Sequence, residues 1–213
     1  MKASFLFIAL CFAINAFAQD LEEKNDPFDT VEEVEDNFDG FIEKFDENVL
    51  GWGEYAWKDF KCLIMNGTLH MESKIEEAIA TSCSAPFSID DDFELSCEVL
   101  VKKIDDDKTF GVIIDVEDYD NYLAFMVTEG IARYEKWKDG KLVGSKLNTI
   151  KMKEKKGKSV VVLTLRREGD LVKFYVNDVL ALEKKNVHLT ISDIGFKIGG
   201  KQKIDFDNLK IVY

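Results

Sequence analysis

The sequence has little proline, histidine or cysteine, and it has no excess of positive charge. Its 213 residues include two prolines, two histidines and four cysteines, and the formal net charge is −13 at pH 7. Nucleic acids and anionic membrane surfaces select clusters of lysine and arginine, so a chain this acidic is a poor partner for either. The composition therefore excludes a nucleic-acid partner and favours a soluble protein with neutral or cationic partners.

Long apolar runs are also scarce, and the one that stands out is N-terminal. Residues 1–18 combine an early lysine, a short apolar stretch and the sequence Ala16-Phe17-Ala18, which is typical of a secretory signal peptide and its cleavage site. The stretch is shorter than the roughly 20 residues of a membrane-spanning helix. The sequence predicts export to the periplasm or the extracellular space, with no transmembrane segment in the mature chain.

The segment after the signal peptide is dominated by acidic and polar residues. Residues 19–40 contain too few hydrophobic side chains to fold alone, so we predict an acidic, disordered leader. Residues 41–213 are long enough for one sizeable domain with its own core.

Three cysteines remain after cleavage: Cys62, Cys83 and Cys97. An exported protein permits disulfide bonds, and the odd number leaves at least one thiol unpaired or bonded between chains. Cys62 and Cys97 alternate with large apolar residues, which predicts that both face a core. A catalytic Cys–His pair is disfavoured, because only His70 and His188 are available. The pairing of the three cysteines stays open.

Short alternating runs separated by turns fill residues 41–213 and predict about a dozen strands. Asn66-Gly67 separates two such runs, and this dipeptide favours the turn type whose twist suits a β-hairpin. No helical period lasts more than one or two turns. The pattern predicts an all-β fold, an antiparallel two-sheet β-sandwich of the jelly-roll kind.

The last twenty residues predict two strands around the turn Gly199-Gly200-Lys201. The second strand alternates over residues 203–207, and the alternation slips by one residue at Asp207-Asn208, as a β-bulge produces. Because an isolated hairpin is marginally stable in water, we expect these strands to pair within a larger sheet.

Several stretches match one known group in family order from residue 41 to 213. They include Phe-Asp-Glu-Asn-Val-Leu-Gly-Trp at 45–52, Asp-Tyr-Asp-Asn-Tyr-Leu-Ala-Phe at 118–125, and shorter pieces at 65–69, 93–98, 110–112, 163–169, 174–178, 194–196 and 201–209. The chain thereby resembles exported bacterial domains of the concanavalin A-like lectin/glucanase superfamily, including laminin G-like and keto-disaccharide-hydrolase-like members. The resemblance implies a jelly roll with one concave face, which often holds glycans in relatives.

A glycosidase on this fold is expected to carry two carboxylates on one strand, in a pattern like Glu-x-Asp-x-x-Glu. The sequence has no such pattern, and the nearest approach is Asp115-Val116-Glu117. No catalytic residues are therefore assigned, and a non-enzymatic role is favoured.

Acidic turns supply the oxygen ligands that calcium prefers, and relatives with this resemblance often hold calcium. The turn residues Asp118, Asp120 and Asn121 are the predicted metal ligands. The alternative is that aspartate and asparagine occupy these turns for backbone reasons.

Aromatic side chains beside polar ones predict a binding groove. By alternation, Trp137 shares a strand face with Arg133 and Glu135, while Tyr134 faces the other way. Sugar rings stack on such exposed aromatic groups. In the alternative interpretation, Trp52 and Tyr122 are core residues. The predicted ligand-binding residues are Tyr119, Arg133, Glu135, Trp137 and Trp57.

The leading hypothesis is an exported, non-catalytic binding module for a carbohydrate or cell-envelope ligand. One alternative is a glycoside hydrolase-like enzyme acting on a disaccharide or polysaccharide. Another is a protein–protein interaction domain that uses the acidic leader.

Overall fold

The structure, a computed structural model, describes residues 40–102, 107–151 and 159–213. Within these ranges the chain forms fifteen β-strands and no helix, so no described helix is long and apolar enough to cross a membrane. The predicted signal peptide and nearly all of the predicted acidic leader lie outside the described residues.

The strands in chain order are β1 Gly40–Glu43, β2 Tyr55–Ala56, β3 Phe60–Met65, β4 Thr68–Ser73, β5 Ile79–Ser84, β6 Phe93–Val101, β7 Thr109–Asp118, β8 Asn121–Val127, β9 Ile131–Lys138, β10 Lys141–Thr149, β11 Ser159–Glu168, β12 Leu171–Val176, β13 Val179–Lys184, β14 Asp193–Gly199 and β15 Gln202–Val212. They form two antiparallel sheets. The nine-stranded sheet has the order β13-β12-β11-β6-β15-β4-β3-β2, with β1 also paired to β15. The six-stranded sheet has the order β10-β9-β8-β7-β14-β5. The predicted two-sheet β-sandwich is confirmed.

The main core lies between the sheets and is rich in phenylalanine. Phe196 of β14 stacks on Phe206 of β15 with ring centroids 4.2 Å apart, which joins the two sheets directly. Trp52 is buried and stacks on the other side of this pair, 5.2 Å from Phe196. Alternate residues of each strand point into this layer because successive side chains of a strand face opposite ways.

Two local predictions agree with the structure. Asn66 and Gly67 both have positive φ, 54° and 70°, and they join β3 to β4 as a two-residue hairpin. The pairing of β15 with β6 shifts register between Asp207 and Lys210, and Asn208 has φ of 49°. The predicted bulge is therefore present, and it keeps the apolar side chains on both sides of it facing the core.

The predicted terminal hairpin is wrong, although both of its strands exist. β14 pairs with β5 and β7 in the six-stranded sheet, whereas β15 pairs with β4 and β6 in the nine-stranded sheet. Gly200, with φ of 82°, turns the chain from one sheet into the other. Both strands carry a full apolar face, and placing them in opposite sheets lets these two faces pack on each other across the core.

All three cysteines of the domain are buried and free. The prediction that Cys62 and Cys97 face the core is confirmed. Burial raises the pKa of the Cys62 thiol to about 12 and raises those of Cys83 and Cys97 as well. These thiols pack as small hydrophobic side chains.

Candidate functional site

A second, smaller apolar cluster lies on the outer face of the six-stranded sheet, the face turned away from the main core. Its members are Ile113, Val116, Tyr122, Ala124 and Met126, with Ala80 and Trp137 packed against them. These residues alternate along β7 and β8 with side chains of the main core. Large polar side chains lie among them, so this face combines apolar surface with buried hydrogen-bonding groups.

Two glycines hold the strands of this face close together. A Cβ atom at Gly111 would lie 2.1 Å from the carbonyl oxygen of Phe125, and one at Gly195 would lie 2.1 Å from that of Thr81. Only glycine fits at such distances. The residue that pairs with Gly111 on β14 is Lys197, so no side chain of β7 stands directly beside this lysine.

Lys197 crosses the face and its ammonium group ends beside two aromatic rings. Its ammonium nitrogen lies 4.9 Å from the ring centre of Tyr122 and 4.5 Å from that of Trp137, and it donates a 2.8 Å hydrogen bond to the Tyr122 hydroxyl. The two rings stack with centroids 5.9 Å apart and planes 18° apart. The lysine thereby helps to fix the aromatic pair.

Glu135 gathers the polar groups of this face. Its carboxylate accepts a 2.7 Å hydrogen bond from the Trp137 indole, lies 2.5 Å from Nε of Arg133, and lies 3.5 Å from the Lys197 ammonium. Only 3% of Glu135 is exposed. Two cations therefore share one buried carboxylate, which leaves the group with one positive charge in excess when all three are ionised.

Burial shifts the pKa values of Lys197 and Tyr122. Burial lowers the pKa of Lys197, and the nearby Glu135 carboxylate opposes this shift. Burial also raises the pKa of Tyr122, with a further contribution from Glu135. The tyrosine is therefore a neutral hydroxyl that can both accept and donate.

The structure thus brings three of the predicted ligand-binding residues together, namely Arg133, Glu135 and Trp137. It adds Lys197 and Tyr122, which the sequence-based prediction did not include as site residues. The alternative interpretation of Tyr122 as a core residue agrees with its burial, although it belongs to the smaller cluster on the opposite side of β8 from the main core. The signal for Lys197 was a lone lysine between Phe196 and Ile198 in an otherwise apolar strand.

The other two predicted residues lie apart from this group. Trp57 is 65% exposed and packs on Tyr55 and Phe60, at the β2–β3 edge of the nine-stranded sheet. Tyr119 is also exposed and sits in the turn between β7 and β8, where a Cβ at Gly53 would lie 3.9 Å from its hydroxyl. Neither residue has a recorded ring contact with Trp137.

The predicted metal ligands are engaged with one another. Asp118 accepts hydrogen bonds from the side-chain amide of Asn121 at 2.8 Å and the backbone N–H of Asp120 at 2.7 Å, and these bonds hold its pKa low. The side-chain oxygen of Asn121 accepts from the Asp139 N–H. Among residues 40–102, 107–151 and 159–213, no three His, Cys, Asp or Glu side chains are grouped to hold a metal. The predicted calcium site gains no support.

Asp115 and Glu117, the acidic residues nearest to a catalytic pattern, have different surroundings. Asp115 has φ of 54°, and its carboxylate accepts hydrogen bonds from the backbone N–H groups of Thr190 and Ile191. It therefore tethers the segment before β14. Glu117 is exposed near the end of β7.

No family model matches the sequence, and no curated protein matches it. Solved structures do match. The carbohydrate-binding module CBM66 from Bacillus subtilis aligns over 78% of this chain and 98% of its own, with a TM-score of 0.54 and 16% identity. The beta-glucanase of Bacillus licheniformis aligns over 83% of this chain and 99% of its own, with a TM-score of 0.57 and 8% identity. This chain has the concanavalin A-like jelly-roll fold.

A third match is a Bacillus subtilis protein of unknown function with a galectin-like fold. It covers 81% of this chain and 94% of its own length, with a TM-score of 0.57 and 11% identity. Identities this low establish a shared fold alone, because one fold hosts many functions. Function has to be argued from the site.

Proposed function

We propose that this chain is an exported, non-catalytic carbohydrate-binding module, and that its ligand lies on the outer face of the six-stranded sheet. The observation that carries the proposal is the stacked pair Trp137–Tyr122 beside the buried polar groups of Lys197 and Glu135. A sugar ring has an apolar face that stacks on an aromatic ring and hydroxyl groups that need directed donors and acceptors. This face offers both kinds of contact within one cluster.

Export is supported by the predicted signal peptide at residues 1–18. The matches to a carbohydrate-binding module and a beta-glucanase are consistent with a glycan ligand, since a fold already used for glycans needs only a suitable site.

Binding is favoured over hydrolysis by the carboxylates of this face. The two catalytic carboxyl groups of a glycosidase lie about 5–5.5 Å apart in retaining enzymes and about 6.5–9.5 Å apart in inverting enzymes. Two neighbouring cross-strand rows on this face consist of Lys197, Gly111, Met126 and Arg133, and of Gly195, Ile113, Ala124 and Glu135. The carboxylate in these two rows is Glu135, and it is held by Arg133 and Trp137. Asp115 is occupied by the backbone of Thr190 and Ile191.

The test is binding of residues 19–213 to a broad glycan array, for the wild-type chain and two variants. Trp137→Ala removes the aromatic platform and is expected to abolish the hits. Tyr175→Ala is the matched control, because Tyr175 lies on β12 between the core residues Phe174 and Val176 and therefore faces outward from the nine-stranded sheet. This control is expected to keep the wild-type hits.

Thermal unfolding of each variant verifies that the fold is intact before binding is compared. A second array, run with a chelator, tests whether binding needs calcium. Loss of the hits in the chelator would support the predicted calcium site. Turnover of any bound glycan would favour the hydrolase alternative. A blank array under both conditions would overturn the proposal, and capture of a partner protein that depends on residues 19–39 would then favour an interaction domain.

A further inference from the structure

Arg133 presents an unused part of its guanidinium group on the proposed binding face. Its Nε atom lies 2.5 Å from a carboxylate oxygen of Glu135, within ion-pair distance, but makes no hydrogen bond to it. Among the described residues, no partner is recorded for the two Nη atoms, and 38% of the side chain is exposed. The ion pair with Glu135 keeps the guanidinium on this face, and its two Nη atoms form a planar pair of donors that matches the two oxygens of a carboxylate.

The second cation of the face lies in the same cross-strand row as Arg133. Lys197 pairs with Gly111, Gly111 with Met126, and Met126 with Arg133. Three strand spacings of about 4.8 Å separate the ends of this row, roughly 14 Å in all. The Lys197 side chain crosses the glycine, so both cationic groups meet at Glu135, 2.5 Å and 3.5 Å from its carboxylate, and an anionic group beside them faces two positive charges.

Negative charge on this face is either neutralised or distant. Glu135 is already shared between Arg133 and Lys197. The acidic turn residues Asp118 and Asp120 lie beyond Trp137, which is four residues from Arg133 along β9, about 13 Å at 3.3 Å per residue. At physiological ionic strength the field of exposed charges is screened over about 8 Å. The negative net charge of the chain therefore does not cancel the local excess of positive charge.

We infer that the glycan bound on this face carries a carboxylate, as a uronic acid does, and that Arg133 is the specificity-determining residue. This inference rests on the proposed carbohydrate-binding function and names its ligand class. Trp137, backed by the buried ring of Tyr122, stacks on the sugar, and the Nη atoms of Arg133 receive the carboxylate. Lys197 keeps the aromatic pair in place and adds positive charge.

The test compares each acidic sugar with a neutral twin. Oligogalacturonate and oligomannuronate are titrated calorimetrically into the wild-type protein, each beside its carboxyl-reduced form, in which the carboxylate has become a hydroxymethyl group. Hydrogen bonds to a charged group are strong enough that we expect the preferred oligouronate to bind at least about tenfold more tightly than its reduced form. This comparison uses only the wild-type protein, so it does not depend on whether a variant folds.

Variants of Arg133 then test whether this residue distinguishes the acidic sugar from its reduced form. Arg133→Gln is expected to remove the preference for the acid over its reduced form, because glutamine lacks the charged pair of donors. Arg133→Lys keeps the charge and loses the paired donors, so an intermediate preference is expected. Tyr175→Ala serves again as the control and keeps the full preference.

Three results would overturn the inference. If reduced oligosaccharides bind as tightly as the acids, the inferred carboxylate recognition is wrong, while the proposed carbohydrate-binding function is retained. A preference for acids that survives in Arg133→Gln would remove the role of Arg133. Absence of binding to every acidic and neutral sugar on the array would remove the proposed function and this inference together.

Discussion

The ammonium group of Lys197 lies over the ring of Trp137, 4.5 Å from its centre, although β7 and β8 separate the strands that carry them. The lysine spans this distance because its partner on β7 is Gly111, which has no side chain to obstruct it. A cation over an aromatic ring contributes about 0.5–2 kcal/mol, more when water is excluded. The contact therefore couples the position of the aromatic platform to a buried charge.

Glu135→Gln is expected to destabilise the fold by leaving two nearby cations without an anion. Removing one partner of a buried ion pair is costly, and since Arg133 is partly exposed we expect a loss on the order of 2 kcal/mol in the free energy of unfolding. Urea denaturation measures it. Glu94→Gln is the control, because its partner Arg166 lies on the exposed surface and such pairs contribute at most about 1 kcal/mol. Equal stability of Glu135→Gln and wild type would contradict the prediction.

Gly195→Ala is expected to be strongly destabilising. The added Cβ would meet the Thr81 carbonyl oxygen at 2.1 Å and a side-chain carbon of Ile113 at 2.9 Å, and the first of these is backbone that cannot move alone. Overpacking of this kind costs about 1–3 kcal/mol or more. The control is Gly130→Ala, where nothing lies within 4 Å of the new atom, and a change within about 0.5 kcal/mol is expected. Similar denaturation midpoints for both variants would show that β14 and β5 are not held this closely.

Asn208→Val is expected to destabilise the bulge of β15. Asn208 has φ of 49°, a left-handed conformation that costs most L-residues about 1–2 kcal/mol. Asparagine tolerates it, and valine, branched at Cβ, does not. Asn208→Gly is the control and is expected to stay close to wild type, because glycine adopts positive φ freely. A valine variant with the wild-type urea midpoint would argue against the bulge.

The three buried thiols are expected to be unreactive in the native protein. The thiolate is the reactive species, and the Cys62 pKa of about 12 leaves almost none of it at pH 8. Ellman's reagent should therefore label residues 19–213 only after unfolding, and then at all three cysteines. Rapid labelling of folded protein would show an accessible thiol, and fewer than three labels after unfolding would show a disulfide.

The raised pKa of Cys62 also predicts how the stability of the fold changes at alkaline pH. The thiol of Cys62 ionises near its ordinary pKa of 9.0 in the unfolded chain and near 12 in the folded one, so the unfolded state loses its proton first. The stability linked to this thiol is complete below pH 9 and is lost as the pH rises from 9 to 12. A Cys62→Ala variant is expected to show a weaker decline of stability across that range.

Local features were predictable because they depend on neighbours in the sequence. Asn66-Gly67 predicts its hairpin from the backbone preferences of two residues, and the slip at Asp207-Asn208 predicts a bulge from alternation alone. The shared face of Arg133, Glu135 and Trp137 follows from their spacing of two along one strand. The calcium ligands show the limit of such reasoning, because a turn rich in aspartate looks the same whether its oxygens bind a cation or its own amide groups.

The sequence by itself determined most of the strands, the hairpin turn at Asn66-Gly67 and the shared face of Arg133, Glu135 and Trp137, since these follow from backbone geometry over a few residues. Only the tertiary structure decided that β14 and β15 belong to different sheets, because an apolar strand pairs equally well with any strand of suitable register. The same holds for the site. Lys197 and Glu135 are 62 residues apart, and their meeting depends on β7 and β8 lying between them in one sheet.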